Sequence, residues 1–283
     1  MQIAVIGTGA IGSTFAFHLA RGGHDVTVIA RGARLAQLQA EDAIVTVKGQ
    51  RAKVRVSPAL DVTIPFDLVL VTVLAPQVEA VLPSLAECAA KTVMFMFNTF
   101  EPLGRLRDVV GDERFAFGFP AVLATLHDGK LKSQVYGLGQ ITTVTHAEWA
   151  KTFAAAGIPT VVHADIHSWL RTHAAFIMPF MALGAMVHAR GGGITWAESR
   201  KLARAMSAGF DLVRSLGNQI TPLAMGLMSH VPDVLTTLLI WILSRTKMLH
   251  ELGAMGPGEA RMLIDMMEKA APDGAAALVA VRP

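Results

Sequence analysis

One cysteine, Cys88, stands among the 283 residues, so no intrachain disulfide can form, which fits a reducing compartment. Charge is also scarce. Only 17% of the residues are Asp, Glu, Lys or Arg, against about 25% in ordinary globular chains. A chain this apolar either buries much of its surface in cores or hides some of it in a partner. No basic run exists: Arg105 with Arg107 and Lys130 with Lys132 are isolated pairs. Nucleic-acid binding calls for a basic stripe with interleaved aromatics, so no nucleic-acid partner is expected. The small net charge of +3 suits a bound anionic cofactor. There is no His-Glu-x-x-His run and no second cysteine, so no metal site is expected. A basic leader with a cleavage site is missing too. Met1-Gln-Ile-Ala-Val-Ile6 enters a strand pattern at once, and a cytoplasmic protein is the expectation.

One long apolar run needs weighing. Between Arg171 and Arg190 only His173 and His188 can ionise, and Ala174 to Val187 approaches the roughly 20 residues of a membrane span. Pro179 and Gly184 interrupt it, and no positive cluster marks one flank. The expectation is a buried core helix or a dimer face, without a membrane.

Along the chain the hydrophobic period changes once. Strands are expected at 3–6, 25–30, 66–73 and 92–97, with helices at 13–21 and 34–40 and a broken helix at 77–90. Residues 43–47 and 52–56 read as a hairpin around Lys48-Gly49-Gln50, and 115–122, 134–136 and 140–144 as strands closing the sheet. Short, continuously apolar strands alternating with helices predict a parallel sheet covered on both faces. After Asp165 almost no strand pattern remains, and helices are expected at 165–189, 196–216, 221–229, 231–250 and 257–271. The division is therefore an α/β Rossmann-type domain over 1–164 and an all-α domain over 165–283, with the active cleft between them. Eleven of the 14 methionines fall in the helical half, Met178, Met181, Met186, Met225, Met228, Met255, Met262, Met266 and Met267 among them, and read as core filler. His230 and Asp233 read as a helix-start turn.

Gly7-Thr-Gly9-Ala10-Ile11-Gly12 is G-x-G-x-x-G, placed directly between a strand and a helix at the start of a β-α-β unit. Gly7 permits the tight turn, Gly9 lets backbone approach a pyrophosphate, and Gly12 lets helix and strand pack closely. The helix N-terminus offers N–H groups to phosphate. An NAD site places an acid after the second strand for the ribose 2′-OH. Here that strand ends in Arg31-Gly-Ala-Arg34, and no acid occurs between Asp25 and Glu41. Arginine suits a 2′-phosphate, so the pattern points to NADP(H). Asn98, at the end of a parallel strand, sits where open α/β sheets bind ligands.

These features together resemble the ketopantoate reductases (2-dehydropantoate 2-reductases). The glycine loop near residue 1, Arg31 after the second strand, Val71-Thr-Val73-Leu-Ala-Pro-Gln77, Phe97-Asn98, Asp128-Gly129 with Gly137 and Gly139, Trp169-Leu-Arg171 and His250-Glu251 carry the resemblance, which is specific over about 1–145. It implies cofactor contacts at Gly7, Gly9, Ala10, Ile11, Gly12, Arg31, Val73, Gln77 and Asn98, and a role for Asn98 on the substrate side. The family's general acid is a Lys at the start of the helical domain, with an Asn one turn later and a second Lys in the V-T-x-K segment. Those places hold Arg171, Ala175 and Leu74 here. A ketone reductase needs a proton donor with a pKa near the working pH, and arginine stays charged. On a single helix over 165–189, His167, Arg171 and Ala175 share a face. His167 then becomes a candidate proton donor and Arg171 a candidate anion clamp or an interdomain bridge. His173 points elsewhere, beside Trp169. The expected function is reduction of a carbonyl on a small anionic substrate. The alternatives are a non-catalytic NADP(H)-binding sensor or partner protein, and an oxidoreductase with an unrelated substrate such as an imine or a 3-hydroxy acid. The apolar helical half makes a homodimer plausible.

Overall fold

A computed structural model describes residues 1–137, 139–253 and 256–283, and the backbone alone of Glu251 and Leu252. Met255 and the Glu251 side chain, both singled out above, lie outside the described residues. The chain divides into two compact units: Met1–Asn98 with Leu103–Ile166, and Thr99–Pro102 with His167–Pro283.

The first unit is built on an eight-stranded sheet. Its strands in chain order are β1 (Gln2–Ile6), β2 (Asp25–Ile29), β3 (Ala43–Val45), β4 (Arg51–Lys53), β5 (Arg55–Ser57), β6 (Leu68–Val71), β7 (Val93–Met96), β8 (Phe115–Phe119), β9 (Val122–His127), β10 (Lys130–Val135), β11 (Thr142–Val144) and β12 (Thr160–Val162). The sheet order is β12-β11-β8-β7-β6-β1-β2-β5, and β3–β4 and β9–β10 form separate hairpins. From β5 to β8 every pairing is parallel, and β11 joins β8 antiparallel. Helices α1 (Ala10–Arg21), α2 (Gly32–Glu41), α3 (Leu82–Glu87), α4 (Gly104–Val110) and α5 (Ala147–Ala155) cover it. The central strands are buried on both faces, as continuous apolar runs require. On one face Ile3, Val5, Leu68, Leu70, Met94 and Met96 meet Phe15 and Leu19 of α1 and Phe153 of α5. The alternate residues of β7 and β8 build a second cluster from Phe95, Phe97, Phe115 and Phe117.

The expected α/β sheet followed by helices is the observed architecture, with local corrections. Residues 52–56 divide at Val54: β4 completes the hairpin, whereas β5 leaves it to lie parallel to β2. Residues 134–136 do not close the sheet but belong to the β9–β10 hairpin. The helix expected over 77–90 is a 3-10 turn, Ala75–Ala80, followed by α3. Pro83 sits in the first turn of α3, where a missing N–H costs nothing.

The second unit is helical: α6 (Ile166–Arg190), α7 (Trp196–Ser215), α8 (Leu223–Met228), α9 (Asp233–Leu243), α10 (Lys247–Gly253), α11 (Gly258–Ala270) and α12 (Ala276–Val279). The expected 231–250 helix is two helices, α9 and α10, separated at Ser244-Arg245-Thr246. Helix α6 is long and apolar enough to cross a membrane, but 72% of its most apolar window is buried, and it serves as the core helix of this unit. Its small residues set close crossings: a Cβ on Gly209 of α7 would lie 3.1 Å from the Ala175 Cβ.

Candidate active site

The candidates of the first unit leave the sheet along one edge. Ile29, Ile6, Val71 and Phe95 form a row across β2, β1, β6 and β7, so Arg31, Gly7, Val73 and Asn98 follow four neighbouring carboxyl ends. At about 4.8 Å per strand this row spans roughly 14 Å. Strand order reverses at the β1/β6 pair, and open parallel sheets bind ligands outside the carboxyl ends at that point.

The three loop glycines meet different demands. Gly7 has φ +91°, and a Cβ there would lie 2.8 Å from the Val73 nitrogen. A Cβ on Gly12 would lie 2.3 Å from the Gly7 carbonyl oxygen and 2.4 Å from Thr72 Oγ1. Gly9 has an ordinary φ of −68° and no atom within 4 Å of where its Cβ would stand. The fold thus needs glycine at 7 and 12, while at 9 it leaves open space before the first turn of α1. No side chain caps that turn, so the N–H groups of Ala10, Ile11 and Gly12 point outward without intrahelical acceptors. An uncapped helix N-terminus facing open space fits a pyrophosphate.

Thr72, which the sequence reading passed over, closes the loop. Its N–H donates to Ile6 O at 2.8 Å and its hydroxyl to Gly7 O at 2.8 Å. The signal was a lone hydroxyl ending an apolar strand.

Arg31 is the exposed residue preceding α2, and its side chain has no hydrogen-bond or ion-pair partner among the described residues. The nearest carboxylates in sequence are engaged elsewhere, Asp25 with Arg55 at 2.9 Å and Glu41 with Arg51 at 2.6 Å. Arg34 corrects the sequence reading. Its guanidinium turns inward: Nε donates to Thr8 O (3.1 Å), Nη1 to Gln37 Oε1 and Gly129 O (both 2.8 Å), and Nη2 to Ser13 Oγ (2.8 Å). Burial pushes its pKa down, though a guanidinium keeps its charge. Arg34 therefore ties the glycine loop, α1, α2 and the β9–β10 turn together and is spent on structure. Gln77 caps the 3-10 turn, its Oε1 accepting from Leu74 N at 3.2 Å. Leu74 itself is 57% exposed. Asn98 is buried.

In the second unit, α6 carries His167, Arg171 and Ala175 on successive turns of one face. His167 is half-buried. Arg171 is buried, donating through Nε to Phe100 O at 3.2 Å and through Nη1 to Asn218 Oδ1 at 2.6 Å. Asn218 Nδ2 in turn donates to Ser168 Oγ at 3.0 Å, and the Phe100 ring lies 5.2 Å from the guanidinium. Desolvation pushes the Arg171 pKa down. Its Nη2 group donates to no described residue. Asn218 follows α7 after Gly217, and nothing in sequence announces a partner 47 positions away. Ala175 is fully buried and packs against Gly209 of α7. His173 stacks on Trp169 at 5.2 Å between centroids, and burial pulls its pKa down to about 3. Glu101 pairs with Lys269 at 3.7 Å. Asp233 starts α9 and accepts from Ser207 Oγ at 2.6 Å.

Comparison with known proteins gives a consistent picture. Residues 3–147 match the sequence family described as Ketopantoate reductase PanE/ApbA. A 2-dehydropantoate 2-reductase of Vibrio cholerae is 32% identical over 175 residues, which cover 59% of this chain and 52% of that protein. The match thus spans about half the length of that relative. Among solved structures, a PanE/ApbA family ketopantoate reductase from Ralstonia eutropha superposes with a TM-score of 0.75 at 19% identity, covering 100% of this chain and 97% of the other. A D-mandelate dehydrogenase in complex with NADH gives 0.70 at 16% identity, covering 100% and 97%. At such identities the two structures show the fold.

Proposed function

The chain belongs to the ketopantoate reductase PanE/ApbA family, and on that premise we propose that it is an NADP(H)-dependent oxidoreductase, acting in the cytoplasm, that reversibly reduces the carbonyl of a small anionic substrate. The observation that carries this reading is the cradle at the β1/β6 reversal. Gly7 and Gly12 satisfy the fold, and Gly9 leaves open space in front of an uncapped helix. Backbone N–H groups of Ala10, Ile11 and Gly12 would hold the pyrophosphate, with Gly7, Gly9, Val73 and Gln77 beside it. Arg31 would take the 2′-phosphate at one end of the row, and Asn98 would serve the reacting end. The bound dinucleotide supplies the hydride.

The chain must then supply the proton and hold the substrate. Arg171 would clamp a substrate carboxylate through its Nη2 edge, since its other donors are engaged. Arginine is too basic to give up a proton, so His167, one turn earlier, takes that role. The fold relative bound to NADH makes cofactor choice a matter for titration. The test is NADPH oxidation with a panel of 2-oxo acids and imines. Consumption with 2-oxo acids is expected; consumption with imines alone would replace the substrate class.

A second reading, a non-catalytic NADP(H)-binding sensor or partner protein, is favoured by the packing of Ala175 and the exposed apolar Leu74 at places where the family resemblance calls for Asn and Lys. Tight NADPH binding without turnover of any carbonyl compound would move the assignment to it.

A further inference from the structure

We propose that Asn218 is a positioning residue that keeps the charge of Arg171 available: a neutral amide holds the buried guanidinium without cancelling it, so that the substrate carboxylate becomes its counter-ion. The inference rests on the carboxylate role given to Arg171 above and adds the residue that makes this role possible. Arg171 is 6% exposed, yet each of its partners among the described residues is neutral: Phe100 O, Asn218 Oδ1 and the Phe100 ring. Burial pushes its pKa down, and no acid beside it works the other way. Acids of the flanking segments are committed to other cations. Glu101, next to Phe100 in sequence, pairs with Lys269 at 3.7 Å, and Asp211, on α7 ahead of Asn218, pairs with Arg214 at 2.9 Å. Charged side chains are almost never fully buried unless paired, and a buried charge without an opposite one is costly. The guanidinium fork matches a carboxylate, and Nη2 donates to no described residue. An anion docked there supplies the charge that the fold withholds.

The backbone around Asn218 is built to hold it in place. Helix α7 ends at Gly217, φ +77°, whose N–H donates to Arg214 O at 2.9 Å, while the Asn218 N–H donates to Val213 O at 3.1 Å. This paired closure fixes the chain just past the helix. Thr172 then stitches the following residues to α6, its Oγ1 donating to Gln219 O at 3.4 Å and accepting from Thr221 N at 3.3 Å. Within that frame Nδ2 of Asn218 donates to Ser168 Oγ at 3.0 Å, which turns the amide oxygen toward Arg171. An aspartate has nearly the same shape. It would set a full negative charge where Oδ1 now accepts from Nη1 at 2.6 Å, and the Ser168 hydroxyl, a donor as well as an acceptor, can reverse its bond. The fold thus offers a place for an internal counter-ion and fills it with an amide.

Calorimetric titration of the full chain with oxamate, a carboxylate shaped like a 2-oxo acid, and with its uncharged ester ethyl oxamate tests this, with and without NADPH. The wild type should bind oxamate at least tenfold more tightly than the ester. Asn218→Asp should weaken oxamate binding at least tenfold and leave the ester unchanged. Its urea midpoint should stay at or above that of the wild type, because the new carboxylate pairs with Arg171. With a 2-oxo acid that is turned over, Asn218→Asp should raise KM at least tenfold and keep kcat within about threefold, the mark of a contact held equally in ground and transition states. Should Asn218→Asp fail to fold, Asn218→Leu, which removes the acceptor and adds no charge, should weaken oxamate at least fivefold. A wild type that does not favour oxamate over the ester overturns the proposal. So does either variant, folded, that binds oxamate unchanged, or a fall in kcat at unchanged KM. Absence of NADPH binding or of turnover faults the functional reading instead, and the oxamate comparison still decides this one.

Discussion

Single residues decide whether the glycine loop is a cradle or only a turn. Gly9→Ala places a methyl group in open space on a backbone any residue adopts. The account predicts a melting temperature unchanged within about 2 °C and a clear loss of dinucleotide affinity by calorimetry. Gly12→Ala drives a Cβ into the Gly7 carbonyl and Thr72 and should cost about 1–3 kcal/mol of stability in urea unfolding. His173 gives a pH signature. Its folded pKa is pulled from the ordinary 6.5 to about 3, so its contribution is fully present above pH 6.5. That contribution fades as the pH falls from 6.5 toward 3, because the unfolded chain takes up a proton that the folded chain refuses. His173→Phe keeps the stack on Trp169 and should flatten this part of the acid slope of the urea midpoint; an unchanged slope contradicts the burial argument. Arg171 shows how a sequence candidate acquires a different context. Its guanidinium is held by the carbonyl and ring of Phe100 and by the Asn218 amide, and residues 47 and 71 positions away cannot be read from a helical period.

At the scale of elements, what could be read followed length. The long helices α6, α7 and α11 were legible because a 3.6-residue period repeats over many turns. Strands β1, β2, β6 and β7 were legible as short buried runs between turn signals. The three-residue strands β5 and β12 were not, since three residues carry no period and their pairing is fixed by neighbours across the sheet. Asp128-Gly129 forms the β9–β10 turn, with φ +48° and +73°, whereas residues 134–136 were assigned to the wrong sheet. What holds the β9–β10 turn in place is Arg34, with Gln37 Nε2 donating to Asp128 O at 3.0 Å. Arg34→Leu would strand the Gly129 carbonyl and leave Thr8 O with the Ser13 hydroxyl alone. The expected loss is about 2 kcal/mol or more in urea unfolding, with weaker NADPH binding because the loop loses its brace. Gln37→Ala, which removes fewer contacts, should cost less; the reverse order would contradict the assignment of Arg34 as the clamp.

For the molecule as a whole, the scarcity of charge now has a physical account. Cores on the two faces of the sheet and around α6 take up a large share of the apolar residues, and α8 and α9 carry several of those left exposed. Fold class was legible because the change from alternating to purely helical patterning is abrupt near residue 165. The reaction was less legible, because Arg171, Leu74 and Ala175 stand at the places where the family resemblance implies Lys and Asn. The central claim, a Rossmann unit tuned to NADP(H) through Arg31, is tested most directly by calorimetric titration of the wild type and Arg31→Asp with NADPH and with NADH. A charged hydrogen-bonded contact contributes about 1.5–3 kcal/mol. The wild type should therefore prefer NADPH, and Arg31→Asp should weaken NADPH binding by about 10- to 100-fold while leaving NADH binding intact or improved. Equal affinity of the wild type for both cofactors, or an Arg31→Asp variant that binds NADPH unchanged, would contradict it.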